Sequence, residues 1–194
     1  MTARELQAQK TYENIILTAE QLTENNSFEN ISVDLICAKA GISKGGFYHH
    51  FPSKDLLISL LIGRQMGNLI EERIEPFFNK KNAFALLQIY IDTMVSYMEN
   101  SPQNVLARCW VALSEHPEMT NAAFAQNFFH IIHKIVVQGK SEGSIRPDLT
   151  DEFCQAYLTG TITGIMLYGT TFQAQQTLHD FASQSLELIC KTLR

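Results

Sequence analysis

Apolar residues recur along most of the chain at spacings of three and four, the repeat of helices that bury one face. No stretch alternates as a half-buried strand does. Between Leu6 and Glu24, Tyr12, Ile15, Ile16, Ala19 and Leu22 share one face; Asn25-Asn26-Ser27 then breaks the run, and Phe28 is expected to pack as core. From Ser53 to Glu75 the pattern predicts a helix that is apolar at Leu56, Leu57, Leu60 and Leu61 and polar from Arg64 to Arg73, ended by Pro76. The stretch from Ala83 to Glu99 is apolar almost all round, as at the centre of a bundle. Ser101-Pro102 opens a further helix and His116-Pro117 stops it; another is expected over about 118–140. Two more follow, at about 150–171 and 175–193. The pattern therefore predicts an all-α protein of about nine helices.

The last two helices carry more apolar surface than one subunit is expected to cover. A twofold dimer through a four-helix bundle resolves that. Its interface is expected to use Gly160, Gly164, Tyr168, Phe181, Ser185 and Leu188. The small residues let a second helix approach.

The stretch from Ser32 to Lys54 reads differently: two short helices, a tight turn between them, and the start of a third. Ser32 is placed to cap the first of these and Asp34 puts negative charge at its positive end. Gly41 is where a helix needs a left-handed residue to stop. Ser43 caps the second, and Ile31 with Ile36, then Ile42 with Phe47, have the spacing of hydrophobic staples. This is the helix-turn-helix pattern, over 32–51. Gly45 and Gly46 sit side by side in the second helix, although glycine destabilises a helix by about 1 kcal/mol per residue. A helix pressed against another surface would favour them. From Leu35 to Lys54 there is no acidic residue, and Lys39, Lys44 and Lys54 make this window basic in a chain of net charge −5. A local basic patch on an acidic protein suggests a sited polyanion contact.

The run Ala40-Gly41-Ile42-Ser43-Lys44-Gly45-Gly46-Phe47-Tyr48-His49-His50-Phe51-Pro52-Ser53-Lys54 resembles the DNA-binding segment of the TetR family of bacterial transcriptional regulators. The match is dense from about Tyr12 to Leu61. Two positions depart from the family pattern: Ser27 stands where glycine is usual, and Gly46 where a larger residue often reads bases. The resemblance implies a helix-turn-helix domain over 1–52, a connecting helix over 53–76, and a ligand-binding and dimerisation domain over 77–194. It implies double-stranded DNA with a palindromic operator as partner. The contacts are expected from Ser32, Ser43, Lys44, Gly45, Gly46, Tyr48, His49, His50 and Lys54, with Arg4 and Lys10 as further phosphate contacts or ordinary surface charges. It also implies a small-molecule effector among the middle helices, in a region holding Tyr90, Met94, Tyr97, Met98, Trp110, Phe128, Tyr157, Thr161 and Met166. The expected outcome is a repressor released by that effector, with activation as the other sense.

Other chemistries find less support. Cys37, Cys109, Cys154 and Cys190 are far apart with no CxxC pair, so neither a zinc site nor a disulfide framework is expected; a thiol-sensing regulator using Cys109 or Cys154 is an alternative. His130 and His133 lack a nearby carboxylate or cysteine at ligand spacing, and Gly139-Lys140-Ser141 lacks the earlier glycine of a phosphate loop. No catalytic set is spaced for chemistry, so no enzyme activity and no cofactor are expected. A small helical enzyme or carrier using an apolar pocket is the remaining alternative. The polar N-terminus carries no signal-peptide pattern. The uncharged stretch from Phe153 to His179 is interrupted by Thr and Gln, which argues for a buried helix rather than a membrane span, and a cytoplasmic protein is expected.

Overall fold

The computed structural model describes residues 2–23, 26–116, 128–171 and 176–194. These form nine α-helices: α1 (Ala3–Thr23), α2 (Val33–Ala40), α3 (Lys44–His50), α4 (Lys54–Ile74), α5 (Ala83–Glu99), α6 (Gln103–Glu115), α7 (Phe128–Ser141), α8 (Asp151–Thr171) and α9 (Leu178–Leu193). Short 3₁₀ turns lie at Phe28–Asn30 and Glu75–Phe77. The first part of the helix expected from about 118, including Phe124, falls outside the described residues.

Capping side chains fix where most helices begin. Ser32, Ser43, Ser53, Asn82 and Thr177 each accept a hydrogen bond from a backbone N–H of the first turn. Gly41 stops α2 with φ of 69°, a left-handed conformation that glycine adopts without steric penalty.

Two apolar clusters hold the molecule together. The smaller one joins α1, α2, α3 and the first turns of α4, and is built on Ile15, Ile36, Phe47, Phe51 and Leu57. The larger one joins α4 to α9. Helix α4 belongs to both. Leu56, Leu57, Leu60 and Leu61 enter the small cluster, whereas Ile58, Ile62, Met66, Ile70 and Ile74 form an i, i+4 ridge in the large one. The expectation of a polar stretch from Arg64 to Arg73 is corrected here: Met66 and Ile70 are fully buried. Gly63 and Gly67 are buried as well, so the glycines that interrupt the apolar pattern lie on a covered face.

Phe28 is also more than small-domain core. It packs half-buried against both clusters. Ala112 and Leu113 of α6 enter the small cluster, and Arg108 pairs with Asp55 at 3.3 Å. The two clusters are therefore tied by α4, α6 and Phe28 together. Among the described residues, no helix is long and apolar enough to cross a membrane.

Candidate nucleic-acid interface

Helix α3 is held from behind. Phe47 and Phe51 are fully buried, and Tyr12 of α1 stacks on Phe51 with ring centroids 5.0 Å apart. The amide of Asn14 donates to the Ala40 carbonyl at 2.9 Å, fastening α1 to the end of α2. The opposite face of α3 is uncovered: Lys44, Gly45 and His49 are exposed, and Tyr48 is 51% exposed with its ring edge on Phe47. His50 differs. It sits half-buried against Tyr12, and burial, then the neighbouring His49, pull its pKa below the ordinary histidine value.

The Ser32 hydroxyl accepts from Leu35 N–H and the Ser43 hydroxyl from Gly46 N–H, each at 3.1 Å. Each hydroxyl proton is left to donate outward. A Cβ built at Gly45 or Gly46 would meet only atoms at ordinary van der Waals distance or beyond, the nearest being Ser43 Oγ at 3.5 Å from Gly46. Neither glycine is required by its own subunit. Arg4 and Lys10 on α1 are exposed.

Two lysines are engaged in ways their sequence positions do not reveal. Lys44 Nζ lies 2.7 Å from Asp34, which raises the lysine pKa through that hydrogen bond. Asp34 is one residue outside the acid-free window, and the turn at Gly41 folds it back beside Lys44. Lys54, expected to grip phosphate, is otherwise occupied. Its ammonium donates to the carbonyls of Ile31 at 2.8 Å and Phe28 at 3.3 Å, closing the loop between α1 and α2.

Residues 15–60, from within α1 to the first turns of α4, match the family model described as bacterial regulatory proteins, tetR family. This segment is a TetR-type DNA-binding segment. The chain is a DNA-binding transcriptional regulator. It is 23% identical over 172 residues to the HTH-type transcriptional regulator UidR of Escherichia coli (strain K12), covering 86% of this chain and 85% of that one. It is 27% identical over 96 residues to the transposon Tn10 TetC protein of Escherichia coli, spanning half of this chain and 48% of that protein. Its fold is similar to that of Thermus thermophilus FadR, a TetR-family transcriptional repressor solved in complex with lauroyl-CoA, with a TM-score of 0.70, 19% identity and 92% of each chain covered.

In the larger bundle the expected effector region divides in three. Tyr97, Met98, Trp110 and Met166 line a small cavity of about 20 Å³ with Met66 and Leu106, room for about one water. Tyr90, Met94 and Phe128 are bundle core; Tyr90 directs its hydroxyl at the Phe128 carbonyl at 3.5 Å, and its ring edge meets Phe128. Tyr157 and Thr161 do not join the cavity. Tyr157 stacks on Phe153 and reaches Thr192 of α9 at 3.5 Å, while Thr161 donates to the Tyr157 carbonyl. Helical spacing places these two on a stripe, and only packing decides that Tyr157 lies half-buried at the edge of the large cluster, beside α9.

The expected dimer residues divide too. Gly160, Gly164 and Leu188 are exposed, with open space beside both glycines. Tyr168 and Phe181 stack on each other at 4.0 Å, locking α8 to α9 inside the subunit, and Ser185 donates to the Phe181 carbonyl. Phe153 and Leu167, 51% and 40% exposed, extend the glycine stripe of α8 and are absent from the expected set. Their spacing from Gly160 is the signal in the sequence that points to them.

Proposed function

We propose that the chain is a homodimeric repressor that releases a palindromic operator when a small molecule enters its helical bundle. The observation that carries this reading is the bare face of α3. A seven-residue helix buries its own Phe47 and the capping Phe51 completely yet leaves Lys44, Gly45, Tyr48 and His49 exposed and Gly46 half-buried. Folding supplies no reason for that glycine pair, whereas close approach to a groove does. Lys44 and His49 then face base edges, Gly45 and Gly46 let the backbone come near, and Tyr48 with the hydroxyls of Ser32 and Ser43 donates to phosphates. Lys54 acts one step back, holding the loop on which Ser32 sits.

Two such helices, related by a twofold axis through α8 and α9, require half-sites about one helical turn, or a multiple, apart. The uncovered stripe of Phe153, Gly160, Gly164 and Leu167 on α8, with Leu188 on α9, supports that axis. Helix α4 supports the coupling, since its ridge forms part of the bundle core while its first turns carry α3. An effector shifts the equilibrium only by binding better to the arrangement that misplaces the two heads. The similarity in fold to Thermus thermophilus FadR, a repressor with lauroyl-CoA bound, supports repression and a small-molecule effector as the type of signal.

The thiol-sensing alternative fares less well. Burial pushes the Cys109 thiol up to about 11, and burial likewise raises Cys37, Cys154 and Cys190. Protonated, covered thiols are poor nucleophiles. Electrophoretic retardation of the DNA upstream of the protein's own gene tests the proposal. A retarded band with two protomers per probe is expected at low salt, and absence of any band overturns it.

A further inference from the structure

A second concavity lies beside the small cavity, where α4, α5 and the turn at Phe28–Asn30 meet. Its volume is about 400 Å³. Phe28, Leu69 and Tyr97 give it apolar walls, and no Asp or Glu is among its described lining residues.

Two polar side chains without a partner among the described residues line it, one buried and one exposed. Thr93 lines the groove and is only 2% exposed, yet its hydroxyl has no hydrogen-bond partner among the described residues. A helical threonine can donate to the carbonyl three or four residues back, as Thr161 does at 2.8 Å and Thr170 at 3.2 Å. No sealed side-chain oxygen or nitrogen in the described residues lacks a partner, so the small exposed remnant of Thr93 includes its oxygen and opens into the groove. Arg73 lines the same groove. Unlike Arg64, Arg108 and Arg146, each of which has a carboxylate, Arg73 has none among the described residues.

The groove also touches a relay between the two apolar clusters. Tyr97 is a wall shared with the small cavity, and its hydroxyl donates to Gln65 of α4 at 3.0 Å. The Gln65 amide in turn reaches Thr23 of α1 at 3.4 Å.

We infer that this groove is a binding site for a small organic anion, a carboxylate or phosphate monoester with a compact apolar body, its charge met by Arg73 and Thr93. A guanidinium matches the two oxygens of either head group, and a hydroxyl can add a third bond. The apolar walls take the body. Because Ser27 and Phe28 form one side of the groove, an occupant bears on the loop that Lys54 fastens to the DNA-reading unit. That regulatory consequence rests on the repressor reading; the binding site does not.

Calorimetry on the full-length protein with benzoate, phenyl phosphate and neutral benzyl alcohol tests the site. At least one anion is expected to bind and benzyl alcohol is not. Which anion binds more tightly identifies the head group. Arg73→Gln is expected to weaken the anion by about tenfold or more, the usual effect of losing a charge-assisted pair. Thr93→Val keeps the shape and is expected to weaken it several-fold. If neither anion binds the wild type, or either binds Arg73→Gln as tightly, the site is overturned. Gel retardation with and without the anion separates the regulatory arm. Binding without any change in DNA affinity overturns the coupling alone, and absence of retardation altogether overturns the repressor reading while the calorimetry still stands.

Discussion

Gly45 and Gly46 tie the folding of this protein to its function through opposite signs. Their surroundings accept a Cβ, so Gly46→Ala is expected to raise stability by up to about 1 kcal/mol through helix propensity. The same methyl group stands on the face proposed to meet DNA, and affinity should fall several-fold. Denaturant melting and gel retardation on one variant check both signs; a drop in stability, or unchanged DNA affinity, contradicts the assignment. Asp34 gives a second test. It holds Lys44 across an exposed ion pair, so phosphate or base must compete with a carboxylate for that ammonium. Asp34→Asn should raise affinity for DNA of any sequence, the more so at low salt. A variant that binds operator more weakly would mean that Asp34 serves to orient Lys44 rather than to restrain it.

Among the helices, α4 is the connector because its two ends belong to different cores. Lys54 at its start holds the carbonyls of Phe28 and Ile31. Lys54→Ala is therefore expected to destabilise the small cluster by about 1–3 kcal/mol, the effect of leaving a charged donor's acceptors without partners. Hydrogen exchange should show faster opening of residues 28–36, and any loss of DNA affinity should follow that loosening. Helix α7 shows the converse of the α3 glycines. A Cβ at Gly139 would come within 2.5 Å of Ile145 and 2.9 Å of Ala83, so this glycine is needed for close packing. Gly139→Ala should lower stability by about 1–3 kcal/mol through overpacking, measured by thermal or denaturant unfolding.

For the assembled protein, the proposed dimer uses the exposed stripe on α8 and Leu188 on α9, and the proposed operator recognition depends on it. Leu188→Glu is expected to shift the protein toward monomer in sedimentation, with an unchanged helical spectrum, and to weaken operator binding in proportion to the lost dimer. A variant that stays dimeric would move the axis elsewhere. The helices, their caps and the helix-turn-helix are legible from the chain alone, because caps, stops and apolar spacing are local: Ser32, Gly41 and Ser43 act within four residues of themselves. Long-range pairings are not legible. Asp34 beside Lys44, Lys54 on Phe28, Tyr168 on Phe181, and Thr93 sharing a groove with Arg73 all depend on which faces of separate helices meet. Spacing says that Tyr157 and Gly160 share a stripe; it does not say whether the stripe looks at the bundle, at α9 or at solvent. Local backbone preference settles an element, but the partner of each side chain is chosen by packing between elements distant in the chain.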